Sequence, residues 1–444
     1  MALTNRDMVY EMRANGSDDN GGGFKNGASG TDYSQQDVAE INYTDLLINT
    51  TNTKASSSAH PFTSDHVGNV VNITGGSGFT TGRFEITAVV GSLATFNAAL
   101  GTAGSSGGSG KLGGAIIFTN DFFSSMKYGG RVWLKADGTH TLTENVTTSA
   151  GNTGFYSNIE GYSTTRGDAR TDNSKRPTIA CGAYTLTIGN YWQAVLLNLT
   201  GSGFSVLSSN AHSMIYRCKV YNTSTTAAQN AIFCNSGYVK FIECEVSSTN
   251  GVGLYAYGVN HYIYKCVAKD CGGRSDGTLY SKVGIKLFGT DCVATDCIAY
   301  NCSSGVYLDG AESLVSNLTV YNSYYGIFYV NTYYGECSNS IVDSCDTGIY
   351  RGNSTIRNRG TLFVNINLSN NTNDSNANVL DDFVNTTSLD PQFVDAASGD
   401  FKTGSNMEMT YTWPAGLTST TIKNGAVQSR RKEDGFSEFN FIRT

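Results

Sequence analysis

Asp270, Asp276, Asp291 and Asp296, with Arg274 and Lys282 among them, are the side chains best placed to do chemistry in this chain. Glycoside hydrolysis needs two carboxyl groups about 5 to 9.5 Å apart, one protonating the leaving group and the other activating water or attacking directly. A lyase would instead use a Lys or Arg as base and carboxylates to hold a cation. Two observations oppose both chemistries. Asp270 and Asp296 stand where neighbouring repeats carry Asn or Ser, which are turn residues, and no segment matches a defined catalytic motif. The expectation is therefore no catalytic residue and a chain that leans away from being an enzyme. Asp270, Asp276, Asp291, Asp296 and Lys282 remain the candidates should it be one.

A second group is aromatic. Phe233, Tyr255, Lys286, Tyr307, Phe328 and Tyr350 each follow an apolar residue at matching positions of successive repeats. Strand alternation turns them outward on one face. Such a stripe is wider than a soluble monomer usually leaves bare. It would serve as an oligomer contact or as a platform for sugar rings, or it merely reflects the preference of Tyr and Phe for strands. Tyr221, Tyr300 and Tyr321 form a lesser stripe of the same kind.

What must position these residues is a repeat of about 21 or 22 residues. Cys218, Cys244, Cys266, Cys297, Leu318 and Ser340 begin similar segments at spacings of 26, 22, 31, 21 and 22 positions. A second column, Ala231-Ile232, Gly253-Leu254, Gly284-Ile285, Gly305-Val306, Gly326-Ile327 and Gly348-Ile349, keeps step with it. A period of this length signals a solenoid whose units bury their apolar faces only against each other. Each unit holds three short alternating stretches rich in Tyr, Val and Ile, separated by Asn, Ser, Asp or Gly, which reads as strand. The fold class is all-β, a right-handed parallel β-helix with three strands per coil. Stacking at about 4.8 Å gives nine or so coils a length on the order of 40 Å. Ile215, Phe241, Ile263, Ala294, Val315 and Cys337 would form one interior column, and Leu254, Ile285, Val306, Ile327 and Ile349 another.

The cysteines follow the repeat. Cys218, Cys244, Cys266 and Cys297 share one column and Cys271, Cys302 and Cys345 another. Inter-coil disulfides are geometrically open to them, but an odd total of 11 and folding in a reducing compartment favour thiols packed as small core residues. C-x4-C spacing without a His in register argues against zinc. No metal and no cofactor is expected. The net charge of -7 argues against a nucleic-acid binder. The Met1–Val9 stretch has no apolar run and no window of 18 apolar residues exists, so neither a signal peptide nor a membrane span is expected. Arg166-Gly167-Asp168 is a tripeptide common by chance and carries no adhesion reading.

Four regions follow: an arm over 1–49, a small β domain over 50–114, the β-helix over 115–370, and a tail over 371–444 expected to cap the open end of the prism. Asp390-Pro391-Gln392-Phe393-Val394-Asp395, Gly399-Asp400-Phe401 and Gly425-Ala426-Val427-Gln428 resemble the closing segments of right-handed parallel β-helix proteins. Gly16 to Gly114, and Glu160-Gly161-Tyr162 through Arg166-Gly167-Asp168 to Arg176-Pro177-Thr178-Ile179, are similar to virion-associated β-helix proteins of tailed bacteriophages. That resemblance implies a virion protein, with a trimer as the usual arrangement; the role expected is a capsid decoration on the virion surface, assembled in the host cytoplasm. Its partners would be other copies of itself, the major capsid protein or another virion protein, and host-surface polysaccharide. The alternative it leaves open is a tailspike or tail fibre that binds or depolymerises polysaccharide.

Overall fold

The computed structural model describes residues 7–126, 129–274, 281–330, 336–352, 362–375, 383–388, 391, 393–396, 400–403, 408–411 and 420–423. The chain winds into a right-handed parallel β-helix with three faces. The first face runs from Arg131–Lys135 through Ser157–Tyr162, Trp192–Val195, Met214–Tyr216, Lys240–Ile242, Tyr262–Tyr264, Val293–Thr295 and Leu314–Ser316 to Glu336–Asp343. The second includes Thr178–Gly182, Asn198–Gly201, Lys219–Asn222, Glu245–Ser248, Val267–Lys269, Ile298–Tyr300 and Thr319–Tyr321. The third is a sheet of 10 strands from Val146–Thr147 to Asn373–Ser375. Every strand pairs in parallel with its counterpart one coil on, so equivalent side chains stack.

Corners make this possible. Arg217, Glu243, Lys265, Asp296, Asn317 and Asn339 join the first face to the second, all with φ between 50° and 56°. Asp270, Asn301, Asn322, Ser344 and Asn370 turn the chain out of the second face in the same left-handed conformation, and Tyr191, His212, Tyr238, Asn260, Asp291 and Glu312 turn it into the first. One left-handed residue between two extended segments bends the chain sharply. The residue after the first corner, Cys218, Cys244, Cys266, Cys297, Leu318 or Ser340, then points into the core and is buried. Such conformations disfavour most L-residues, so the packing of the inward neighbours must hold them.

Both expected interior columns are present in register and buried. All 11 cysteines are buried free thiols. The glycine column has a steric cause. A Cβ on Gly305 would lie 2.3 Å from Val320 Cγ1 and 2.8 Å from the Gly326 carbonyl oxygen, and Gly284 and Gly326 are as crowded.

The arm and tail lie differently from the boundaries drawn above. Met8–Met12 pairs in parallel with Arg131–Lys135 and adds a rung below the first face. Beneath it a short helix, Asn120–Ser125, sets Phe122 against Tyr10 and Phe123 against Trp192, with ring centroids 4.9 and 6.0 Å apart. Ile41–Ile48, placed in the arm by the sequence, is a strand of the small domain. It pairs with Gly108–Leu112 in a closed antiparallel barrel that has its own core around Tyr43, Phe62, Phe84 and Phe96. Its partner is distant in sequence, which hid the boundary.

The β-helix continues past residue 370 through Asn373–Ser375 and Phe383–Thr387. The hairpin Phe393–Asp395 with Asp400–Thr403 does not sit over the end of the core. It lies along the second face, where Phe401 packs on Tyr300 and Tyr321 at 5.0 and 5.6 Å between ring centroids. Those two tyrosines, expected as an outward stripe, are thus partly covered by the tail. The segment from Gly425 lies outside the described residues.

A buried ion network fastens the arm. Arg166 donates from Nε and Nη2 to Glu11 Oε2 at 3.1 and 2.8 Å, and Tyr162 donates to Glu11 Oε1. Arg13 and Arg166 reach on to Asp37 and Asp32 at 3.1 and 3.2 Å. Burial pushes the Glu11 carboxyl up despite the two guanidinium groups beside it. Asp168 accepts three backbone N–H groups, from Ser163, Thr164 and Thr165. The Arg166-Gly167-Asp168 tripeptide is therefore occupied in holding the structure.

If coil spacing excludes a methyl group at the glycine column, Gly305→Ala should lower unfolding stability by about 1–3 kcal/mol. Urea unfolding measures it, and an unchanged midpoint would mean that Val320 and its neighbours give way freely.

Candidate functional site

The candidate acids do not converge. Asp270, Asp291 and Asp296 occupy three different corners of the prism. Asp291 and Asp296 flank the strand Val293–Thr295; five extended residues at about 3.3 Å each set them roughly 16 Å apart. That exceeds the separation of any glycosidase acid pair. Asp270 accepts from Asn301 Nδ2 at 3.2 Å and Asp296 from Asn317 Nδ2 at 3.1 Å, each partner being the equivalent corner residue one coil on. These are links of amide–carboxylate ladders along the corners. The Lys282 stem lies across Gly272, and Arg274 bridges to Asn322 at 2.5 Å and Asp346 at 2.8 Å, tying the loop across later coils. Asp276 lies outside the described residues. Among the described residues no three His, Cys, Asp or Glu side chains converge to hold a metal ion.

The aromatic column has the expected register on the third face, from Phe233 through Tyr255, Lys286, Tyr307 and Phe328 to Tyr350. Its exposure is not as expected. Tyr307 and Phe328 are 2% and 0% exposed, stacked at 5.1 Å and packed with Val252, Val283, Tyr325 and Tyr350 in a separate cluster. Lys286 is nearly buried, its ammonium 4.7 and 4.9 Å from the Tyr255 and Tyr307 ring centroids. Burial pulls its pKa down, and Asp309 opposes that pull. The continuous bare stripe is therefore interrupted, because neighbouring large side chains on the same strands fold over its upper half.

What stays open is the lower half, widened by rings outside the column. Phe204, Phe233, Tyr255, Tyr257 and Phe288 form a continuous run with centroids 5.6, 5.3, 6.2 and 5.3 Å apart in that order. Phe204, Tyr257 and Phe288 are exposed at 57%, 44% and 37%. Phe204, Tyr257 and Phe288 were not singled out in the sequence. The signal was available, since Tyr257 and Phe288 each stand two residues past a column member on the same strand side.

The sequence also gave no prominence to a charged group on the second face. Glu245 lies 3.0 Å from Lys219 Nζ and 2.6 Å from Lys269 Nζ, and accepts from the Tyr221 hydroxyl at 2.6 Å. The repeat register alone places Lys219 beside Glu245, one position past Cys218 and Cys244. Burial pushes the Glu245 carboxyl up, but Lys269, Tyr221 and Lys219 outweigh it and hold the pKa at about 2. A carboxylate so firmly ionised cannot serve as a general acid near neutral pH.

No family model and no curated protein matches the sequence. Among solved structures the chain is similar to pectate lyase Pel9A, at 13% identity and a TM-score of 0.48, over 70% of this chain and 91% of that one. It is also similar to the PL6 family alginate lyase AlyGC (12% identity, TM-score 0.37, 69% and 55% covered). A third likeness is to the tailspike protein gp49 from Pseudomonas phage LKA1 (12%, 0.27, 79% and 59%). At these levels the likeness concerns the fold, and no residue role is carried across.

The Glu245 group yields a pH dependence. Its folded pKa lies below the ordinary value of 4.5, so the stabilisation is present above that value and is lost as pH falls toward about 2. The loss should be on the order of 3 kcal/mol at most. Urea midpoints of the wild type and Glu245→Gln should converge across that window; parallel curves would mean the ion pairs contribute nothing.

Proposed function

We propose that this chain is a non-enzymatic surface protein of a tailed-phage particle that holds glycan on the open aromatic run of its third face. The observation that carries the reading is the run from Phe204 to Phe288, five adjoining rings on a rigid sheet, remote from any converging pair of described acids. Aromatic faces accept the C–H side of a pyranose ring, and a tyrosine hydroxyl can hydrogen-bond its rim. Rings fixed by coil spacing lose little freedom on binding. The resemblance of 16–114 and of the Glu160 to Ile179 stretch to virion β-helix proteins supports the particle assignment, with decoration of the head as its more specific form.

Purified protein should be retarded by host-surface polysaccharide in affinity electrophoresis, and Tyr257→Ala or Phe288→Ala should weaken binding about tenfold. The glycan should emerge uncut, without new reducing ends or unsaturated termini. Cleavage would overturn the non-enzymatic reading, and binding indifferent to both substitutions would overturn the platform. Antibody label spread over particle heads is expected; label confined to the tail tip would exclude decoration.

A further inference from the structure

The three faces are not equally covered. The tail hairpin lies on the second face, and the upper third face is closed by its own rings. On the first face, Ala169 of the loop 163–177 packs with Val195, Leu196 and Tyr216. Beyond that point the outward column runs Met214, Lys240, Tyr262, Val293, Leu314 and Glu336, one residue per coil. Tyr262 and Leu314 are each 37% exposed. Large apolar side chains in one straight column on a flat sheet are a contact surface, and beyond the loop 163–177 no described residue is packed over it.

The order of this column is self-complementary. Val293 has Tyr262 one coil before it and Leu314 one coil after, then Lys240 two coils before and Glu336 two coils after. We propose that the first face packs against the first face of a second copy of this chain, with the two prisms antiparallel. A twofold axis directed along the strands and passing by Val293 leaves each column facing itself and reverses the coil order, the arrangement of an isologous dimer. Lys240 of each copy then meets Glu336 of the other, Tyr262 meets Leu314, and Val293 meets its own equivalent. A parallel pairing at the same height would instead bring Lys240 to Lys240 and Glu336 to Glu336. The coils holding them are four apart, about 19 Å at the usual strand spacing, so neither charge could find its opposite. Like charges facing each other select against that arrangement. The same axis sets the corner residues Asp291 and Asp296 opposite their equivalents at the two rims, where solvent screens them.

Sedimentation equilibrium of the full chain tests this. The wild type should form a dimer that weakens with added salt. Lys240→Glu and Glu336→Lys should each reduce dimer affinity about tenfold or more, and the double variant should recover most of the loss, because the swapped pairs are again opposite in sign. Leu314→Asp should leave a monomer. All three positions face outward, so circular dichroism and melting temperature should match the wild type and exclude misfolding as the cause. A chain that stays monomeric at its highest soluble concentration, a trimer, or a dimer in which the double charge swap is no better than the singles would overturn the proposal.

Discussion

Parallel pairing of each strand with its counterpart one coil on is the constraint from which the rest of this protein follows. It fixes a rise of about 4.8 Å per coil and so decides which residues touch. Along the axis, residues one repeat apart are neighbours, as in the Asp270–Asn301–Asn322 ladder and the Tyr307–Phe328–Tyr350 stack. Around the coil, residues only five apart sit on different corners, as Asp291 and Asp296 do. The same rise removes room for a side chain at the glycine column. It also lets small buried thiols stack inside without bonding.

Given a uniform scaffold, differences between faces come from what lies over them. The arm is held by the buried Glu11 carboxylate, which pairs with the half-buried Arg166 and Arg13 guanidinium groups, and removing those cations would leave a buried charge uncompensated. The tail adds Phe393 and Phe401 to the second face next to the Glu245 ion group. The third face is divided into a closed upper half and an open lower half. The first face keeps an outward column in which Lys240 and Glu336 flank Tyr262, Val293 and Leu314. Binding functions fit such a body: rigid rings and flat faces need little ordering, whereas paired catalytic acids would have to be brought to one corner.

The periodicity made the fold, the interior columns and the register of the aromatic stripe legible, because a repeated position needs no knowledge of tertiary contacts. The turn identity of Asp270 and Asp296 was also legible, from the Asn and Ser at equivalent positions. Exposure was not. Whether Tyr307 or Tyr321 is bare depends on Val252, Val283 or Phe401, which lie outside its own column. The strand Ile41–Ile48 and the Phe393–Asp400 hairpin were misplaced for a related reason: their partners are distant and follow no period. Glu245 was within reach of the repeat register but drew no notice, since Lys219 and Lys269 come from two different columns.

The central claim is that this prism binds glycan on aromatic rings and does not cut it at acids. An experimentally determined structure of the protein soaked with an oligosaccharide that it binds is the most direct test. Sugar rings lying over Phe204, Tyr257 and Phe288, with an intact glycosidic bond, are the expected result. A chain lodged instead on the second face between Lys219 and Lys269, with its scissile bond at Glu245 or a cleaved product there, would contradict the account.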